Sequence, residues 1–190
     1  MVHCPFCHGW EVRDQAIGVI ATGAMSSHQA LMFRALSEDV TVFAAEGPEL
    51  DPAARERFAA LEVTVVETGI EEIVADPEGG IAGARLVDGT LVPRTVLAAA
   101  TVMTPRLDGL EDLGLRLEEL PAGMGSKVVT GNTGAAEVPG VWVAGNAAEP
   151  SAQVGAAAAG GALAGGHLHG MLVMADADAA VAARRDRAAA

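Results

Sequence analysis

Apolar residues fall along the first hundred positions in runs of four or five, separated by stretches whose apolar positions recur at helical spacing. Ile17-Gly18-Val19-Ile20-Ala21 reads as a short buried strand that Thr22-Gly23 ends. Ser26 or Ser27 is placed to cap a helix running to about Leu36, and Val40-Thr41-Val42-Phe43 is the next strand. Pro52 opens a second helix through about Leu61, with Asp51 placed to cap it. Val63-Thr64-Val65-Val66 follows as a third strand. The order β-α-β-α-β predicts a parallel sheet in an α/β domain of the mononucleotide-binding layout.

Beyond Gly69 the pattern shortens. Ile70 to Ala75, Ile81 to Val87 and Thr90 to Val92 are strand-like runs separated by Pro77-Glu78-Gly79-Gly80 and by the hairpin signal Asp88-Gly89. They predict a small antiparallel meander inserted before a last domain strand, Thr95 to Ala99. From about Thr101 to Asn132 the chain is rich in Gly and Pro and is expected to cross between units. A final strand, Val141-Trp142-Val143-Ala144, leads through Gly145-Asn146 into a long Ala- and Gly-rich helix.

Composition narrows the functional classes. A formal charge of -13 disfavours nucleic acid and anionic membrane as partners, because neutralising phosphate takes clustered Lys and Arg. Gln153 to Met174 carries no charged side chain and has the length of a bilayer span. Ala and Gly dominate it and His167 and His169 interrupt it, so a helix packed closely against a cofactor or a sheet is the expectation. Two cysteines and no basic-then-apolar leader fit a reducing, cytoplasmic setting.

Both cysteines lie in Cys4-Pro5-Phe6-Cys7, followed by His8. Two thiols so spaced suit disulfide exchange, one attacking and the other resolving, and an imidazole beside them can trade protons near neutral pH. The same residues spell the C-x-x-C-H of covalent haem attachment and half of a zinc site. Haem attachment needs an exported protein, and no second cysteine pair completes four zinc ligands. Pro5-Phe6 is also glutaredoxin-like, although there the pair follows a strand and opens a helix. His3, His28, His167 and His169 are too scattered to predict a metal site, and Trp10 and Trp142 read as packing or cleft residues.

The C-x-x-C ahead of a strand, the interrupted nucleotide-binding unit, the hairpin and the closing Val138-Pro139-Gly140-Val141-Trp142-Val143-Ala144-Gly145-Asn146 together resemble the low-molecular-weight thioredoxin reductases. Cys-Pro-Phe-Cys-His-Gly-Trp-Glu at 4 to 11 most resembles their dithiol oxidase branch, which closes disulfides in small natural products. The resemblance covers residues 3 to about 174. It implies a Rossmann-like three-layer pyridine-nucleotide-type domain over residues 1–101, carrying the C-x-x-C. Residues 102–174 would be the C-terminal segment of a split FAD-binding domain, and 175–190 a frayed or disordered tail. No G-x-G-x-x-G follows a strand, so the FAD pyrophosphate loop of the family's N-terminal half is not among these residues. A fragment, or a half completed by a partner chain, is therefore expected.

The resemblance also implies roles. Cys4 and Cys7 would form the redox dithiol, with Cys7 nearer the flavin and Cys4 toward the disulfide substrate, and His8 would transfer protons where the reductases carry an acid. Gly145 and Asn146 would lie at the ribityl and phosphate groups of FAD, and Gln153 and Val154 at the isoalloxazine. The reductases carry Asp where Asn146 stands, and an amide still donates and accepts there. The substrate would be a small dithiol or disulfide, or a thioredoxin-like protein, and the assembly a homodimer.

The pyridine-nucleotide loop departs from the family. Ala21-Thr22-Gly23-Ala24-Met25-Ser26 has one glycine where the fingerprint wants three, so Gly23, Ser26 and Glu46 make a weak nucleotide site. Glu46 stands where relatives place arginines for the 2′-phosphate; it would repel that group of NADPH but could accept the ribose hydroxyls of NADH. With no NADPH to reduce the flavin, electrons would run from a substrate dithiol through Cys4-Cys7 to FAD and on to oxygen. A non-catalytic remnant or interaction module and an NADH-dependent disulfide reductase stay open as alternatives.

Overall fold

The computed structural model describes residues 1–189. The chain forms two units, Met1–Val102 and Met103–Ala190. The first opens with a single helical turn, α1 (Pro5–His8), and then builds β1 (Ile17–Ile20), α2 (Ser26–Arg34), β2 (Val40–Phe43), α3 (Pro52–Ala60) and β3 (Thr64–Val66). An antiparallel meander, β4 (Ile70–Ala75), β5 (Ile81–Leu86) and β6 (Leu91–Pro93), precedes β7 (Val96–Ala99). The parallel strands lie in the order β3-β2-β1-β7, so the predicted α/β layout and the inserted meander are both present.

This sheet is covered on both faces, which is why its strands read as uninterrupted apolar runs. On one face Ile17, Val19, Val40 and Val42 pack with Phe33 of α2 and Phe58 of α3. On the other, Phe43 and Leu97 pack with Ala84 and Leu86 of the meander. Gly18 sits on that second face, where an added Cβ would meet Leu97 and Phe43 at 2.6 and 2.7 Å.

Local signals explain most element ends. Asp51 Oδ1 accepts the Ala54 N–H at 2.7 Å, and Pro52 supplies the first helical residue of α3. At the β5–β6 turn Asp88 Oδ1 accepts the Thr90 N–H at 2.9 Å and Gly89 adopts φ +86°. The donated bonds at Thr90 hold the Asp88 carboxyl below its ordinary range. The expected serine cap of α2 is corrected: Met25 is the cap residue, and the Ser26 hydroxyl accepts from the Gly23 N–H at 3.2 Å instead. Ser26 is turned back into the β1–α2 loop and buried, so it serves the loop and not the helix end.

In the second unit the stretch expected only to cross between units contains a hairpin, β8 (Leu117–Glu119) with β9 (Ser126–Val128). Gly125 enters β9 at φ +120°, where a Cβ would lie 1.8 Å from the Met103 carbonyl oxygen. The predicted strand over residues 141–144 is not formed. A strand needs a paired neighbour, and here Trp142 makes a single bridge to Ala135.

The Ala- and Gly-rich segment is α4 (Val154–Ala189), which continues unbroken through residues 175–189. It does not pack closely along its length as expected. A Cβ added at Gly155, Gly160, Gly161, Gly165, Gly166 or Gly170 would meet nothing within 4 Å, and Ala164 is its one buried residue among those described. The glycines keep the helix slim without a neighbour in the described residues to use it. No described helix is long and apolar enough to cross a membrane.

Candidate functional site

The dithiol turn is held at the carboxyl-end edge of the parallel sheet. Val2 N–H donates to the Leu97 carbonyl at 2.8 Å and the Ala99 N–H donates back to Val2 at 3.2 Å, so the segment before Cys4 lies alongside β7. Gln29 of α2 then ties down the next residue, its Nε2 donating to the His3 carbonyl at 2.6 Å. Pro5, with φ preset for helix, starts α1 immediately behind Cys4. The Cys7 and His8 N–H groups both donate to the Cys4 carbonyl, at 3.2 and 3.1 Å. One short turn thus brings together both thiols and His8.

Cys4 is half-buried, while Cys7 and His8 are exposed, and both cysteines are free thiols. Cys7 holds its proton above the ordinary thiol range, first because of its hydrogen bond with the Cys4 sulfur, then through desolvation, then through charge on Cys4. The thiolate is the reactive form, so a raised pKa leaves Cys7 less reactive than a free thiol until the pH is higher. Replacing Cys4 with Ala is expected to move the pH curve of Cys7 alkylation by iodoacetamide downward. At pH 8 the rate constant should rise by about two- to threefold. An unmoved curve would show that the two sulfurs are not coupled.

Adjacent to Cys4 lies a mainly apolar cavity of about 180 Å³ between the dithiol turn, the first two turns of α2 and Ala100 at the end of β7. It occupies the place where strand order reverses beside β1, the usual ligand crevice of such sheets. The pattern of the chain did not single out the α2 residues on its wall. Met25, His28, Gln29 and Met32 recur at helical spacing on one face, and that spacing is the signal that could have found them.

The nucleotide-loop residues are turned to internal tasks. Glu46 Oε1 accepts the Ile70 N–H at 2.6 Å, and Thr22 Oγ1 donates to the Ala100 carbonyl at 2.8 Å. Gly47 presses so closely on the loop that a Cβ there would sit 2.0 Å from the Ala21 carbonyl oxygen. Gly23, in contrast, faces open space.

In the second unit a cavity of about 340 Å³ has Gly131, Gly134, Gly145 and Gly160 among its walls, with Lys127 and Glu149 as its charged residues. Gly145 is at φ +68°, a conformation that favours glycine. The Glu149 carboxyl is held below its ordinary range by hydrogen bonds from Ser151. Of the residues assigned to FAD from sequence, Gly145 lines this cavity. Asn146 borders a smaller one of about 170 Å³, its amide donating to the Pro150 and Ala152 carbonyls at 2.9 and 3.4 Å. Gln153 and Val154 are exposed at the start of α4 and line neither. Lys127 and Glu149 were not predicted, because only the fold brings β9 and the approach to α4 to one cavity. Among the described residues no cluster of His, Cys, Asp and Glu could hold a metal ion.

No family model matches the chain. It is 33% identical over 154 residues to thioredoxin reductase tcpT of Claviceps purpurea (strain 20.1), a match covering 77% of this chain and 46% of that protein. The crystal structure of HlmI superposes at TM-score 0.84 with 34% identity, over all of this chain and 57% of that one. The oxidoreductase from Agrobacterium tumefaciens superposes at 0.77 with 33% identity, over 90% of this chain and 56% of that one. The chain therefore spans about half the length of these relatives.

Proposed function

The chain is thioredoxin reductase-like in sequence and fold, and on that premise we propose that it is the dithiol-bearing part of an FAD-linked oxidoreductase that oxidises a small dithiol through Cys4 and Cys7. The observation that carries this reading is the pair of free thiols on one turn, anchored by three backbone or side-chain bonds at the ligand edge of the sheet.

The chemistry needs the pair in its disulfide form. A substrate thiolate attacks the Cys4 sulfur and breaks the Cys4–Cys7 bond, giving a mixed disulfide at Cys4 and a thiolate at Cys7 that takes up a proton. The second substrate thiolate then attacks its own sulfur in the mixed disulfide, leaving as cyclic disulfide and freeing Cys4. His8, exposed one residue from Cys7, is the group to exchange protons with these thiolates. Two electrons and two protons now rest on the dithiol. Bound FAD would supply the acceptor that takes those electrons and passes them to oxygen.

The second unit suits part of such a cofactor. Its glycine walls allow close backbone approach, Lys127 suits a phosphate, and ionised Glu149 suits sugar hydroxyls. Gly145 and Lys127 would hold the ribityl–phosphate stretch, next to the N-terminus of α4, whose first turn carries no acidic residue. Asn146 would border the same ribityl–phosphate stretch, and Gln153 and Val154 its ring end. The oxidase direction is favoured over reduction by NADPH because Glu46 and Thr22 are committed to Ile70 and Ala100, and Gly47 lies close against the Ala21 carbonyl.

Titrating the full chain with FAD is expected to give a bound-flavin visible spectrum that bleaches anaerobically on addition of dithiothreitol and recovers with oxygen. Bleaching by NADPH instead would replace the oxidase reading with the reductase one. Protein that stays colourless at saturating FAD would mean that this chain does not hold the flavin by itself.

A further inference from the structure

Gln29 is 7% exposed, and the two ends of its amide differ. Nε2 is spent on the His3 carbonyl at 2.6 Å. Oε1 is shielded from water and accepts no hydrogen bond. Exchanging the two ends would set oxygen against the His3 carbonyl oxygen, so the assignment is fixed by its partner. A buried acceptor without a donor is disfavoured unless something completes it, and this one belongs to a side chain on the wall of the cavity beside Cys4. Apart from His3 and His28 the neighbouring wall is apolar and yielding: Met25 and Met32 are flexible thioethers, beside Pro5 and Ala100. At about 180 Å³ the space is smaller than the roughly 300–1,000 Å³ of pockets that enclose whole ligands, so it suits one portion of a molecule. It has no Lys or Arg on its wall, which makes a phosphate a poor occupant.

Resting on the dithiol reading above, we infer that this cavity seats the part of a small dithiol or disulfide next to its reacting sulfur. It selects an apolar group bearing one hydrogen-bond donor, an amide N–H or a hydroxyl, which Gln29 Oε1 accepts. Cys4 reacts with the sulfur, and the cavity decides which molecule brings it.

The test needs no flavin. In the full chain carrying Cys7→Ser, Cys4 is the sole thiol, and its capture by symmetrical disulfides can be followed by mass spectrometry. The Cys4 thiolate attacks one probe sulfur, the probe disulfide breaks, a Cys4 mixed disulfide forms, and the other half leaves as thiolate. The probes are bis(2-benzamidoethyl) disulfide and its N-methylated counterpart, which differ in the amide N–H. Capture of the N–H probe is expected to saturate with concentration and to run about tenfold faster at low concentration, the worth of one hydrogen bond. Gln29→Met is expected to erase that preference.

Equal rates for the two probes, both linear in concentration, would overturn the inference with no Gln29 variant needed. A preference that survives Gln29→Met, with circular dichroism unchanged, would overturn the role of Gln29. Flavin-linked dithiol oxidation that does not need Cys4 and Cys7, with the N–H preference kept, would remove the proposed function and leave this inference standing. Flavin-linked turnover without the preference would do the reverse.

Discussion

Oxidation of dithiothreitol by the flavin-loaded full chain is expected to fall to the uncatalysed background when either Cys4 or Cys7 is changed to Ser. A single thiol can be trapped as a mixed disulfide but has no disulfide partner from which to start and none to re-form. Closure within one turn exploits an effective concentration that in well-oriented systems reaches about 10⁵ M or more, far above any external thiol. Loss of about a hundredfold or more in oxygen uptake is therefore expected from each variant, with flavin binding retained because neither cysteine lies in the second unit. Turnover that survives either substitution would assign the electrons to another route and end the dithiol reading.

The largest expected effect on stability lies in the sheet's helix-side core. Phe33 on α2 is fully buried with Ile17, Val42 and Phe58 around it. Phe33→Ala is expected to cost about 3–5 kcal/mol, through lost transfer free energy and the cavity left behind. Against the roughly 5–15 kcal/mol that holds an ordinary domain together, this is a large share. In urea, with a slope of about 2 kcal/mol per M, the unfolding midpoint of the first unit should drop by about 2 M. A shift below about 0.5 M would mean that α2 is not docked as described. The same helix carries Met25, Gln29 and Met32, so loosening it should also blunt the probe preference at Cys4.

What could be read from sequence followed the range of the interaction. Asp51-Pro52 and Asp88-Gly89 complete their contacts within three residues, and both are found as expected. The central strands were legible because burial on both faces leaves an unmistakable apolar run. Ser26 looked like a cap because the residue type is right, but its hydroxyl met a donor three residues before it. The run over residues 141–144 has strand composition, and composition cannot supply a neighbour to pair with.

The candidate site was legible in its reacting atoms and not in its surroundings. The spacing of Cys4, Cys7 and His8 is local, so the motif was visible at once. Glu46 seemed free to meet a ribose, yet its carboxylate is taken by the Ile70 N–H, 24 residues further on. The cavity walls bring α2 and the end of β7 against residues 3–6, a meeting that no local pattern encodes.

The anchoring of Val2 between Leu97 and Ala99 has a consequence for how the protein comes to be. β7 is the last strand of its sheet to be synthesised, and Ile17 waits for Val96 across the entire meander. The dithiol turn is thus among the latest parts of this unit to find its seat, since closing so long a loop is costly until the contacts beyond it are won. Throughout that interval the thiols are present but unplaced, open to any oxidant or stray disulfide they encounter. Selective thiol chemistry belongs to the finished domain, and a ribosome-bound nascent chain carries only its ingredients.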